Sequence, residues 1–177
     1  MKKFLFSLIA LPLFIGCKQN GDAAVAAGDS TATDTKVDYA YTIEHPDGWE
    51  WGSKENTRLA LLGLKEFEKG NVEGSTKYFG DSVRVEFNGF EAMLSNDSLT
   101  SMLKQERSQY KTVTIHMDDF ESVKAKDDSI EYVSLWYKQI NEGHDGKIDS
   151  MEIMDDLRMK NGKIVGLNEK TRRYAKP

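Results

Sequence analysis

Apolar residues recur along this chain with two different spacings, and the change between them separates a helical half from a strand half. Ala60, Leu61, Leu64 and Phe67 fall on one helical stripe, widened by Leu59 and Leu62. Ser53 supplies an N-cap and Gly70 a stop, which predicts a helix from about Ser53 to Lys69. A second, shorter helix is predicted over Val72 to Phe79. Val83, Val85 and Phe87 then alternate as a strand ending at Asn88-Gly89. Asp97 or Ser98 opens a third helix to about Tyr110, with Leu99, Met102, Leu103 and Tyr110 on one side.

From Thr112 onward the period is two. Val113, Ile115 and Met117 alternate, and Phe120 and Val123 fall out of phase around Asp118-Asp119, as a bulge would cause. Ile130 to Ile140 is apolar on both faces and reads as a central strand. The chain turns at Glu142 to Gly146, runs as a strand from Ile148 to Met159, reverses at Asn161-Gly162 and ends in a strand to about Arg173. Three helices followed by long antiparallel strands predict one α+β domain. Upstream, Val37, Tyr39, Tyr41 and Ile43 alternate as a short strand or extended arm, and His45-Pro46-Asp47-Gly48 is a turn. Trp49 and Trp51 follow it. A plug on the core or a staple at the next helix is favoured for them over an aromatic ligand platform.

The first residues have a different logic. Lys2 and Lys3 precede Phe4–Gly16, which is apolar or proline except at Ser7 and Gly16. A membrane span needs about 20 apolar residues, so this run fits the h-region of an export signal. Leu13-Phe14-Ile15-Gly16-Cys17 resembles the lipobox of bacterial lipoproteins, in which the cysteine is acylated as the signal is removed. Cys17 is the only cysteine, so no intrachain disulfide is available. Lys18 to about Lys36 is rich in Ala, Gly, Asp, Ser and Thr, the composition of a flexible tether. The expectation is an envelope lipoprotein, held on a membrane by lipid on Cys17 at the periplasmic or outer-membrane face.

Charge narrows the partners. The chain carries a net charge of −5, and loss of the signal removes two lysines and no acid. An acidic surface argues against nucleic acid as a partner. The three histidines, His45, His116 and His144, lack metal-ligand spacing, and no phosphate loop or nucleophile elbow appears, so neither metal nor cofactor is expected.

Phe67-x-x-Gly70-Asn71 followed by Tyr78-Phe79-Gly80-Asp81-Ser82-Val83, together with Asp155-x-Leu157-Arg158-Met159-x-Asn161-Gly162-Lys163-Ile164, resembles nuclear-transport-factor-2-like, or SnoaL-like, domains. The likeness spans about residues 53 to 173. It implies a cone: a strongly curved antiparallel sheet packed on three N-terminal helices, with a pocket at the open end. The chain then divides into a signal at 1–16, lipidated Cys17 with tether and arm at 17–45, and the cone domain at 46–177. Relatives of this kind include isomerases, cyclases, dehydratases and domains that only bind, so fold alone does not give function.

Asp155 is the sharpest candidate. Met151, Ile153, Leu157 and Met159 share its face by alternation, and burial among them would keep the carboxyl protonated. A bulge at Asp155-Asp156, turning both acids to water, is held equally open. The resemblance places Asp155 where ketosteroid isomerases have the acid of their oxyanion hole. It places Phe87 where they have a base and Gly63 where they have a tyrosine, which argues against that reaction. His116, near Thr114 and Asp118 on a polar face, is a second catalytic candidate. Tyr78, Trp136, Tyr137 and Met154 are candidate pocket residues. The favoured reading is a module that binds a small apolar ligand or a protein partner without catalysis, with a homodimer through the exposed sheet face. The alternative is a small lyase, isomerase or cyclase using Asp155.

Overall fold

A computed structural model describes residues 38–45, 48–127 and 130–173. The signal, Cys17 and the tether lie outside the described residues. Residues 38–43 form no strand.

Helix α1 (Lys54–Glu68) begins where expected, because the Ser53 hydroxyl accepts from the Asn56 amide at 3.2 Å. It ends at Gly70, whose φ of 84° lets the Asn71 amide reach back to the Glu66 carbonyl at 2.9 Å. Helix α2 (Val72–Thr76) is shorter than predicted, since Phe79 already belongs to strand β2 (Phe79–Phe87). Asn88 and Gly89 both have positive φ, at 49° and 81°, which is the geometry of a tight hairpin turn. That turn leads into strand β3 (Phe90–Ser95), which the alternation did not reveal. Helix α3 (Asn96–Arg107) follows, capped by Ser95.

The remaining strands are β1 (Trp49–Trp51), β4 (Tyr110–Ala125), β5 (Glu131–Gly143), β6 (Ile148–Lys160) and β7 (Lys163–Arg173). They join one sheet in the order β1-β4-β5-β6-β7-β2-β3. Its pairings are antiparallel except between β2 and β7, so the expected antiparallel sheet is corrected to a curved mixed one. Alternation within each strand does not encode that pairing, because β2 and β7 are far apart in sequence. Trp49 and Trp51 are neither core plug nor helix staple. They pair with Ala125 and Val123 on β4, and Trp51 is 82% exposed.

The register breaks between Met117 and Asp119, as the phase change at Asp118-Asp119 predicted. No break occurs at Asp155-Asp156, which pair in step with Leu135 and Ser134. The irregularity lies instead opposite Arg158 and Met159, where β7 carries Val165 as an extra residue. Inward residues of the long strands, Val133, Leu135, Ile153, Leu157, Met159 and Ile164, form the main core with Ala60. Val83, Val85 and Leu99 form a second cluster under α3.

Arg107 fastens the helical layer. Its guanidinium donates to the carbonyls of Phe67 at 3.3 Å, Glu68 at 3.4 Å and Tyr110 at 2.8 Å. Arg107→Ala would strip donors from these carbonyls and is expected to lower stability by about 1–3 kcal/mol in thermal melts. Lysine, whose three donors sit on one nitrogen instead of spreading over a planar fork, should restore only part.

Candidate functional site

The inner face of β5, β6 and β7 is built in cross-strand rows. Leu135, Asp155 and Glu169 form one, Tyr137, Ile153 and Thr171 the next, and Gln139, Met151 and Arg173 the third. The parallel pairing sets Phe87 beside Glu169. Helices α1 and α3 stand off from these rows. The space between is a cavity of about 410 Å³, with Leu64, Phe67, Met102 and Leu103 among its apolar walls. Glu106, Gln109 and Tyr110 also line it.

Asp155 is buried, at 5% exposure, and lines this cavity. The Tyr137 hydroxyl donates to its Oδ2 at 2.8 Å. Its Oδ1 is buried with no hydrogen-bond partner among the described residues. Loss of water and the facing Glu169 push the carboxyl up to about 8, against the weaker opposing pull of the Tyr137 hydrogen bond. The same burial, and then the charge of Asp155, hold the Tyr137 phenol well above its ordinary value. Glu169 is raised by burial too, although it accepts from the Thr171 hydroxyl at 3.1 Å. At neutral pH the Asp155 carboxyl is therefore mostly protonated. Further along β5, Gln139 donates to Asn141 Oδ1 at 3.1 Å, and Asn141 Nδ2 is likewise buried without a partner among the described residues.

The candidates separate cleanly. Asp155 and Tyr137 meet in the cavity. His116 does not join them: it is exposed, pairs with Lys138 and so lies on the outer face, because Lys138 alternates with the inward Tyr137 and Gln139. A His116–Asp155 couple is thereby ruled out. Trp136 and Met154 pair with each other on that outer face, beside Lys170 and Arg172 rather than in the cone. Tyr78 packs against the core next to Gly63 without lining the cavity. Gly63 does line it, and the phenol that meets Asp155 comes from β5. The sequence reading missed Glu169, Gln139 and Asn141. For Gln139 and Asn141 the signal was polarity at alternate positions of a strand that is otherwise apolar; Glu169 gave none, because the extra residue Val165 shifts its parity.

No protein-family model and no curated protein sequence matches the chain. Solved structures do. A cystatin-fold protein from Novosphingobium aromaticivorans is 12% identical, with a TM-score of 0.56 over 67% of this chain and 99% of that one. A nuclear-transport-factor-2-like protein of unknown function from Burkholderia pseudomallei is also 12% identical, with a TM-score of 0.56 over 68% and 92%. An LEH-like epoxide hydrolase from M. tuberculosis is 10% identical, with a TM-score of 0.56 over 68% and 84%. At these identities the likeness shows the fold alone: a curved mixed sheet packed with helices, similar to that of nuclear-transport-factor-2-like structures.

Proposed function

We propose that this protein is an envelope lipoprotein whose cone holds one small, mainly apolar molecule with a polar end seated against Asp155. The observation that carries the reading is the cavity itself. A volume of about 410 Å³ falls in the range of ligand sites, and its apolar walls end on a buried carboxyl with one oxygen that has no partner among the described residues. The Leu13–Cys17 run supports the anchor, because two or three acyl chains at about 0.8 kcal/mol per buried methylene hold a protein durably. A second copy is proposed to cover the outer sheet face, where Trp136, Met154 and Ile140 are half-buried.

One experiment addresses all three parts. Native mass spectrometry of the full chain, purified from a bacterial membrane in mild detergent, should show acyl mass, a dimer and a copurified small molecule. Loss of the acyl mass in Cys17→Ser should accompany release from the membrane. An unmodified cysteine would sink the anchor, a monomer at micromolar concentration the dimer, and a cavity that takes up no probe the ligand site.

Catalysis is the second reading, and the Asp155–Glu169 pair is what favours it. A protonated acid facing a second carboxyl supplies both an acid and a base, and one similarly folded protein is named an epoxide hydrolase. A turnover abolished by Asp155→Asn would replace the binding reading with that of a small lyase, isomerase or cyclase.

A further inference from the structure

Taking the cone as a ligand cavity, we infer that its ligand is a small organic cation, an amine on an apolar body, with its N–H groups between Asp155 and Glu169. The charged residues lining the cavity are Glu106, Asp155, Glu169 and Arg173. Arg173 is engaged, because Asp149 takes its guanidinium at 2.6 Å. Among the described residues, three acids thus line a space in which the lining cation, Arg173, already has an anion.

Two of those acids converge. Asp155 and Glu169 pair directly across β6 and β7 on the inner face, which brings their Cβ atoms to about 5 Å. The other charges near them do not relieve the pair. Lys170 and Asp156 bond to each other at 2.8 Å on the outer face, and Glu106 adds a like charge from α3. Tyr137 from β5 gives its one proton to Asp155 Oδ2 and leaves Oδ1 open.

An ammonium group has three donors and no acceptor, which suits an open carboxyl oxygen and a facing carboxylate. A neutral alcohol would leave the repulsion in place, and a carboxylate would add to it. The aromatic side chains of Phe67, Phe79 and Phe87 line the same space and offer faces to a cation or its apolar tail. Binding also has a proton cost. Asp155 is raised to about 8, so below that pH an incoming amine must displace its proton to gain the full attraction.

The test uses three matched probes, 4-phenylbutylamine, 4-phenylbutanol and 4-phenylbutyrate, with the full chain in mild detergent. Calorimetry in two buffers of different ionisation enthalpy counts protons. The amine should bind at least about ten-fold more tightly than the alcohol at pH 8, and the acid should not bind. Amine binding should release up to about one proton at pH 6.5 and none at pH 9, tightening by up to about ten-fold per pH unit below 8. Asp155→Asn and Glu169→Gln should each erase the preference for the amine while keeping alcohol binding. Alcohol binding as tight as amine binding would overturn the inference and leave the cavity reading standing. Amine binding unchanged in both folded variants would overturn it too, and binding of none of the three would overturn both. The probe series on the unaltered protein decides the matter even where a variant fails to fold.

Discussion

Replacing Asp155 by asparagine is expected to flatten a fall in stability between pH 5 and pH 8, and to leave the protein more stable than the unaltered chain at pH 8. The reason is linkage. In the native state the carboxyl holds its proton up to about pH 8, whereas the unfolded chain releases it near the ordinary value of 3.8. Between those values the native state binds more protons, so stability declines as pH rises. The slope is about 1.4 kcal/mol per pH unit, or on the order of 3 kcal/mol from pH 5 to pH 8. Glu169, also raised, adds in the same direction. Acids such as Glu66 and Glu142, lowered by hydrogen bonds from Lys69 and Lys111, act oppositely. Their contribution fades only as pH falls below the ordinary carboxylate range, outside this window. Asparagine keeps an acceptor for the Tyr137 hydroxyl and never ionises. Urea midpoints measured at pH 5, 6, 7 and 8 for both proteins would check it. A level profile for the unaltered chain would mean that Asp155 is wet, and the site argument would go with it.

How much of this was legible in sequence depended on whether one period held through an element. The stripe on α1 and its Ser53 and Gly70 ends are local, so they could be read directly. Asp155 could be read as either inward or turned out by a bulge, and the unbroken alternation of β6 from Met151 to Met159 puts it on the inner face. Its partner could not be read as inward. Ile164 faces the core, and counting by twos from it sends Glu169 outward. Val165, the extra residue on β7, reverses that parity and turns Leu167, Glu169 and Thr171 inward. Trp136 and Met154 line a hollow on the outer face instead of the cone cavity, and which of the two they border was hidden for a related reason. A strand apolar on both faces does not say which face borders the cavity, and only the placement of α1 and α3 decides it. The β2–β7 pairing was beyond reach because it joins residues roughly eighty positions apart, such as Phe87 and Glu169.

The second large effect is expected at Leu99, which is fully buried between α3 and the Val83–Val85 face of β2. Leu99→Ala would remove most of that side chain from a packed site and should cost about 2–5 kcal/mol. In a domain held by about 5–15 kcal/mol this is a large share, and the melting temperature should drop on the order of 10 °C. Met93→Ala on the neighbouring edge strand is the control. Its side chain is 66% exposed, so the change should stay within about 0.5 kcal/mol. The consequence reaches the site through α3, which carries Met102, Leu103 and Glu106 along one wall of the cavity. A helix anchored by Leu99 keeps that wall closed over the two carboxyls and keeps water from them. Loosening it should therefore weaken probe binding beyond the stability loss and bring Asp155 back toward its ordinary acidity, seen as a shallower pH profile. A variant that melts like the unaltered protein would show that α3 is not what closes the cone.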